Sequence, residues 1–174
     1  IAPLAFVPNC TRKEVWNCTR ITHQNDEAYV GALAVFLSLQ ASINGKWTQE
    51  NHLIKCIIND LPNTLVKDRL NQIETMDLAA AGKIGATGYV VDSVPLAILA
   101  ASKINTNSIE DIFKILIDIG GDVDTNCSIA GQIIGAKIGY KAIPENLVEQ
   151  IRRLNHYELL AKSTDRFIQN FLAL

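Results

Sequence analysis

Apolar residues recur every three to four positions along nearly the whole chain, and that period confines the fold to packed helices. Val30, Leu33, Ala34, Leu37 and Ala41 share one face of a helix expected to end near Asn44-Gly45. Leu53, Ile54, Ile57, Ile58 and Leu61 form a second stripe that stops before Pro62, with Thr48 as its expected N-cap. Leu65 to Met76 is a weaker third segment, and Val94 to Ala101 a helix of small residues. Ile109, Ile112, Phe113, Leu116 and Ile117 make a further stripe capped by Ser108. Pro144 suits the first turn of the next helix, which carries Leu147, Val148, Ile151 and Leu154. A final helix holds Leu159, Leu160, Phe167, Ile168 and Phe171. No alternating run bounded by hairpin turns interrupts this pattern, so the expected class is all-α. With no linker, low-complexity run or repeat, a single domain over 1–174 is the simplest division.

Composition narrows the function. A chain of 174 residues, 48% hydrophobic and 20% charged, is long enough for one core and lies near the average of folded domains. A net charge of -2 gives no basic footprint for nucleic acid. The most apolar windows, Val90 to Ala101 and Ile129 to Ile138, are interrupted by Asp92 and Lys137 and fall short of the roughly 20 residues a bilayer span needs, so no membrane span is expected. Ile1 to Pro8 lacks the basic start of a secretory signal. Cys10, Cys18, Cys56 and Cys127 form no C-x-x-C pair and no zinc-type grouping with His23, His52 or His156, which points to free thiols in a reducing, cytoplasmic setting. Asn9, Asn17 and Asn126 each begin a glycosylation sequon, a pattern short enough to arise by chance, and these are read as silent.

Chemistry concentrates in Gly120-Gly121-Asp122-Val123-Asp124-Thr125, between the stripe ending at Ile119 and a small-residue segment from Ile129 to Gly139. Two glycines end one helix; two carboxylates and a hydroxyl open the next. Free amides at a helix start favour acidic oxygens, and hard oxygen ligands suit a magnesium- or manganese-like ion. Asp122, Asp124 and Thr125 are therefore candidate metal ligands. Asp is also a common N-cap and Gly a common C-cap, so plain helix punctuation is the competing reading. The following segment shifts the balance: Ala130, Gly131, Gly135, Ala136 and Gly139 leave a helix surface of little bulk, open to close approach of a backbone or a ligand.

These residues resemble the ADP-ribosylglycohydrolases, whose signature is Gly-Gly-Asp-x-Asp-Thr, a small-residue helix, Tyr/Phe-Gly and Ile-Pro. The likeness runs from Gly120 to Thr125, through Ser128-Ile129-Ala130-Gly131 and Gly135-Ala136, to Gly139 and Ile143-Pro144. Upstream, Thr22-His23 followed by Asp26, Ala28, Gly31 and Ala32 is similar to the family's Thr-His element, and Gly88-Tyr89-Val90-Val91 to its Tyr-Val-Val element. Ile1-Ala2-Pro3-Leu4-Ala5 resembles its Arg-x-Ala-Pro segment from just after the Arg.

The resemblance implies a compact orthogonal helical domain and a hydrolase that uses Mg2+ or Mn2+, binuclear in the intact protein. Its substrate would be an ADP-ribosylated protein or an ADP-ribose-containing small molecule. Family members are longer and carry an N-terminal half with a Thr-Asp-Asp-type metal cluster and a catalytic glutamate. This chain is expected to be the C-terminal portion, with that half absent and a possible partner; Ile1 is not an initiator Met. No glutamate here matches the family's catalytic residue, so none is assigned. His23 and Tyr89 carry over as ADP-ribose-binding residues, with Gly88 allowing close backbone approach. From residue type alone, the stronger reading of His23 is a capping or surface residue and of Tyr89 a half-buried core residue. Asp92 could bond substrate or cap the helix starting at Ser93, and the cap is preferred. His52 and His156 read as solvated, Trp16 and Trp47 as packing residues. A non-catalytic ADP-ribose-binding relative and a helical interaction module remain alternatives from other classes.

Overall fold

The computed structural model describes residues 1–172, leaving the last two positions of the 1–174 division outside the described residues. All its regular elements are helical, as the periodicity requires. In order they are α1 (Arg12–Thr19), α2 (Asp26–Ile43), α3 (Leu53–Ile57), α4 (Leu65–Ile73), α5 (Leu78–Ile84), α6 (Val90–Ser102), α7 (Ile109–Ile119), α8 (Val123–Ile138), α9 (Glu145–Arg152) and α10 (Tyr157–Phe167), with short 3-10 turns before α1 and between some of the helices, and a π-helical segment, Ile168–Leu172, that takes Ile168 and Phe171 out of the expected final α-helix.

The centre is α6. It is apolar over most of its surface, and Val91, Ser93 and every residue from Val94 to Ala101 are buried, as befits a helix enclosed by others. It packs against α2, α4 and α8. The crossing with α2 is close because position 31 is glycine: a Cβ there would lie 2.3 Å from Val90 Cγ2. That contact fixes where the start of α6, and the loop before it, can sit. The start of α4 is fixed from α2 as well. Thr64 supplies no side-chain cap, and the Glu27 carboxylate instead accepts the amides of Leu65 at 2.9 Å and Val66 at 3.0 Å.

Several boundaries differ from the sequence expectation. Thr48 does not cap α3; its Oγ1 accepts the Asn51 amide at 3.0 Å, closing a turn ahead of the helix, and His52 stands at the N-cap. The second stripe is split, since α3 ends at Ile57 and a 3-10 turn follows before Leu61, which Pro62 holds extended. Two helices, α1 and α5, lie outside the apolar stripes. Helix α1 is opened by a reciprocal capping box between Thr11 and Glu14, and α5 by Asp77, which accepts the Ala80 amide at 2.7 Å. Pro144 stands at the N-cap of α9, one residue before its expected place. Ser108 caps α7 as expected.

The small-residue face of α8 plays a narrower part than expected. Gly131 accommodates the ring of Phe113 from α7, while Gly135 faces open space. No backbone approaches either position. Trp47 is fully buried, and Trp16 packs edge-on against Tyr29 with ring centres 4.9 Å apart, so both serve packing. Beyond Gly139 the chain is held loosely: Val148 is the buried residue of α9, and α10 buries none. Among the described residues, no helix is long and apolar enough to cross a membrane.

Candidate active site

Gly120 ends α7 with φ +79°, Gly121 follows with φ +74°, and Asp122 is the N-cap of α8. Both glycine dihedrals lie in the left-handed region, and a Cβ on Gly121 would fall 2.2 Å from the Ala86 carbonyl oxygen. The glycine pair is thus more than a helix stop. It lets the 85–89 loop lie across the turn, where Ala86 O accepts the amide of Asp122 at 2.8 Å and the side-chain Nδ2 of Asn126 at 3.2 Å.

That contact sets the geometry of the carboxylates. A Cβ on Gly88 would stand 2.5 Å from Asp122 Oδ2, so the loop backbone meets this oxygen as closely as a glycine allows. Asp122 Oδ1 accepts the Thr125 amide at 3.4 Å, a long cap bond. The capping reading and the acidic-site reading therefore describe the same side chain. Asp122 is held below the ordinary carboxylate range, first by the side chain of Asp124 beside it and then by the hydroxyl and amide of Thr125. Asp124 is exposed. The neighbouring Cys127 thiol is pushed up, first by burial and then by the Asp124 charge. Asn126 is 1% exposed with its Nδ2 engaged, so the sequon at that position is closed in the folded chain.

The other sequence-derived residues face two cavities that meet the start of α6. Tyr89 is 54% exposed, not a core tyrosine, and lines a cavity of about 500 Å³ with Leu65, Asp68, Arg69 and Asp92. His23 lies in the α1–α2 connection, where its Nδ1 shares a 2.8 Å hydrogen bond with Thr22 Oγ1; the cap of α2 is Asn25, not His23. It borders a cavity of about 350 Å³ with Thr22, Ala28, Ala32 and Val90. Gly88 thus meets Asp122 directly, whereas Tyr89 and His23 face separate cavities that share the start of α6. A larger cavity, about 580 Å³, is lined by His52, Lys55, Glu74 and Lys103. It lies at the far end of the 13-residue α6, about 20 Å away, and takes no part in this arrangement.

Asp92 corrects one expectation. The helix starts at Val90, so Asp92 lies inside its first turn instead of capping it. Its carboxylate pairs with Arg69 Nη1 at 3.1 Å and accepts the Thr87 hydroxyl at 2.7 Å. The Arg69 link depends on α4 packing beside α6, whereas Thr87 bonds Asp92 locally, from the loop that leads into the helix.

Among the described residues, no three His, Cys, Asp or Glu side chains gather as a metal cage. What the acidic motif offers is two carboxylates, one held ionised, beside a hydroxyl. This hard-oxygen set fits part of the shell of a magnesium or manganese ion.

Fold and site together make an all-helical body with a glycine-hinged acidic turn seated on a second glycine-containing loop. The chain belongs to the ADP-ribosylglycohydrolase family, whose sequence model it matches over residues 1–172. It is 27% identical over 142 residues to the ADP-ribosylarginine hydrolase Tri1 of Pseudomonas putida (strain GB-1), covering 82% of this chain and 36% of that protein. It is 35% identical over 82 residues to the Tri1 protein of Serratia proteamaculans (strain 568), covering 45% of this chain and 22% of that one. The match to human ADP-ribosylhydrolase ARH3 is 24% over 184 residues, covering 86% of this chain and 50% of that one. The chain therefore spans half or less of the length of these relatives.

Proposed function

We propose that the chain forms part of a divalent-metal-dependent hydrolase that removes ADP-ribose from a modified side chain or a small molecule. Asp122, Asp124 and Thr125 hold a magnesium or manganese ion, one of a pair in the intact protein, and His23, Gly88 and Tyr89 bind the ADP-ribose. The observation that carries this reading is the contact between Gly88 and Asp122 Oδ2. It joins the metal motif to the residue next to an exposed aromatic ring.

Cleavage of the bond to C1″ of ADP-ribose builds positive charge on the ribose, as in other glycoside hydrolysis. A bound divalent ion supplies Lewis-acid polarisation of ribose hydroxyls and of water. The residues of this chain bind and orient. Asp122 and Asp124 supply negative oxygens and Thr125 a neutral one. Tyr89 offers an exposed face for stacking against the base or a ribose, and His23 a ring fixed by Thr22 for hydrogen bonding. The remaining metal ligands and the general acid or base belong, in this reading, to residues outside the chain. Ile21 at 80% exposure and Leu65 at 55% suit a surface that such residues and the ligand would cover. The relatives' names favour an arginine linkage over the others, and the unpaired thiols a cytoplasmic setting.

Calorimetric titration of ADP-ribose with and without magnesium, on the wild type and on Asp124→Asn, tests the proposal. Magnesium-dependent binding that disappears in the variant supports it. Binding that is indifferent to both magnesium and the substitution would leave the non-catalytic ADP-ribose-binding reading in its place.

A further inference from the structure

The loop from Gly85 to Tyr89 carries two of the proposed ligand-binding residues but has no regular structure of its own, so something must hold it. On one side, Thr87 Oγ1 accepts the Tyr89 amide at 3.2 Å and donates to Asp92 Oδ2 at 2.7 Å, with Asp92 fixed in turn by Arg69. Gly85 makes room for this group, since a Cβ there would lie 2.2 Å from Asp92 Oδ1. On the other side stands Asn126, from the first turns of α8. Its Nδ2 donates to Ala86 O, an acceptor shared with the Asp122 amide. The amide orientation follows from the partner, because a carbonyl can only accept.

Asn126 is 1% exposed, and its Oδ1 has no hydrogen-bond partner among the described residues. A buried acceptor left unpaired costs stability that an apolar residue of the same size would avoid. Among the described residues the side chain's one hydrogen bond is the one it donates to Ala86 O.

We propose that Asn126 is a positioning residue that clamps the 85–89 loop onto the acidic motif, holding Gly88 against Asp122 and presenting Tyr89 to the ligand. This rests on the assignment of Asp122 and Tyr89 to metal and ADP-ribose. It adds a specific dependence: ligand affinity responds to a residue that touches neither ligand nor metal.

The test compares the wild type with Asn126→Leu and with Asn126→Ala, which introduces no bulk. Hydrogen exchange of the amides in 86–90 reads the clamp directly, and ADP-ribose calorimetry in magnesium reads its consequence. Both variants are expected to exchange about tenfold faster in this loop while other core amides keep their protection. ADP-ribose affinity should fall about tenfold, with a melting temperature within about 4 °C of wild type. Loop exchange unchanged in a folded variant overturns the clamp, as does an affinity loss that merely tracks a general loss of stability. Should the wild type itself fail to bind ADP-ribose, the functional assignment falls, while the exchange measurement still decides whether Asn126 holds the loop.

Discussion

Replacing Gly121 by Ala tests the central geometric claim, that the acidic turn works only because the Ala86 carbonyl can enter it. Two costs add. The residue has φ +74°, where an L side chain is disfavoured by roughly 1–2 kcal/mol. The new Cβ would also lie 2.2 Å from Ala86 O, a backbone atom that cannot swing aside as a side chain could. Moving that oxygen away weakens its bonds to the Asp122 amide and Asn126 Nδ2, each worth roughly 0.5–1.5 kcal/mol. The sum is about 2–5 kcal/mol, a fall in melting temperature of at least about 4 °C for a domain of this size. Gly135→Ala, one helix length away, is the control. Gly135 lies inside α8 with nothing within 4 Å of its would-be Cβ, so alanine there should stabilise by about 0.5–1 kcal/mol. Urea denaturation of both variants gives the comparison. Equal effects, or a Gly121→Ala loss below about 1 kcal/mol, would refute the argument that steric entry of Ala86 shapes the turn.

Three further outcomes follow from the same geometry. Gly88→Ala presses on the free end of the Asp122 side chain, which can rotate, so melting should change little; magnesium-dependent ADP-ribose affinity, read by calorimetry, should fall about 10–100-fold. Glu27→Ala removes the acceptor of the Leu65 and Val66 amides and should cost about 1–2 kcal/mol in urea denaturation, with exchange rising first at the start of α4. Asp122 has a lowered folded value, so the charge it contributes is fully present above an unfolded value of about 3.9 and is lost as pH falls through the lower folded one. Magnesium-dependent binding titrated against pH should accordingly persist to about pH 4; a midpoint near about 6.5 would point to an imidazole instead.

The sequence by itself determined the helical class, because a 3.6-residue apolar period cannot be satisfied by strands. It also singled out the acidic turn, since glycines and carboxylates at a helix junction mark themselves locally. Ser108 could be read as a cap for the same reason. The capping box of Thr11 and Glu14 is equally local in spacing, but the short helix it opens carries little apolar periodicity to mark it. Other features depended on residues distant in sequence. Asp92 looked like a cap until α4 brought Arg69 beside it, 23 positions away. Asn126 looked like a spare sequon until Ala86 arrived from 40 positions away. The N-terminus of α4 has no local cap to find, its acceptor lying on α2. Local chemistry is written in neighbouring residues, whereas which carbonyl fills a glycine's missing Cβ, and which buried amide holds it there, is decided only when helices pack.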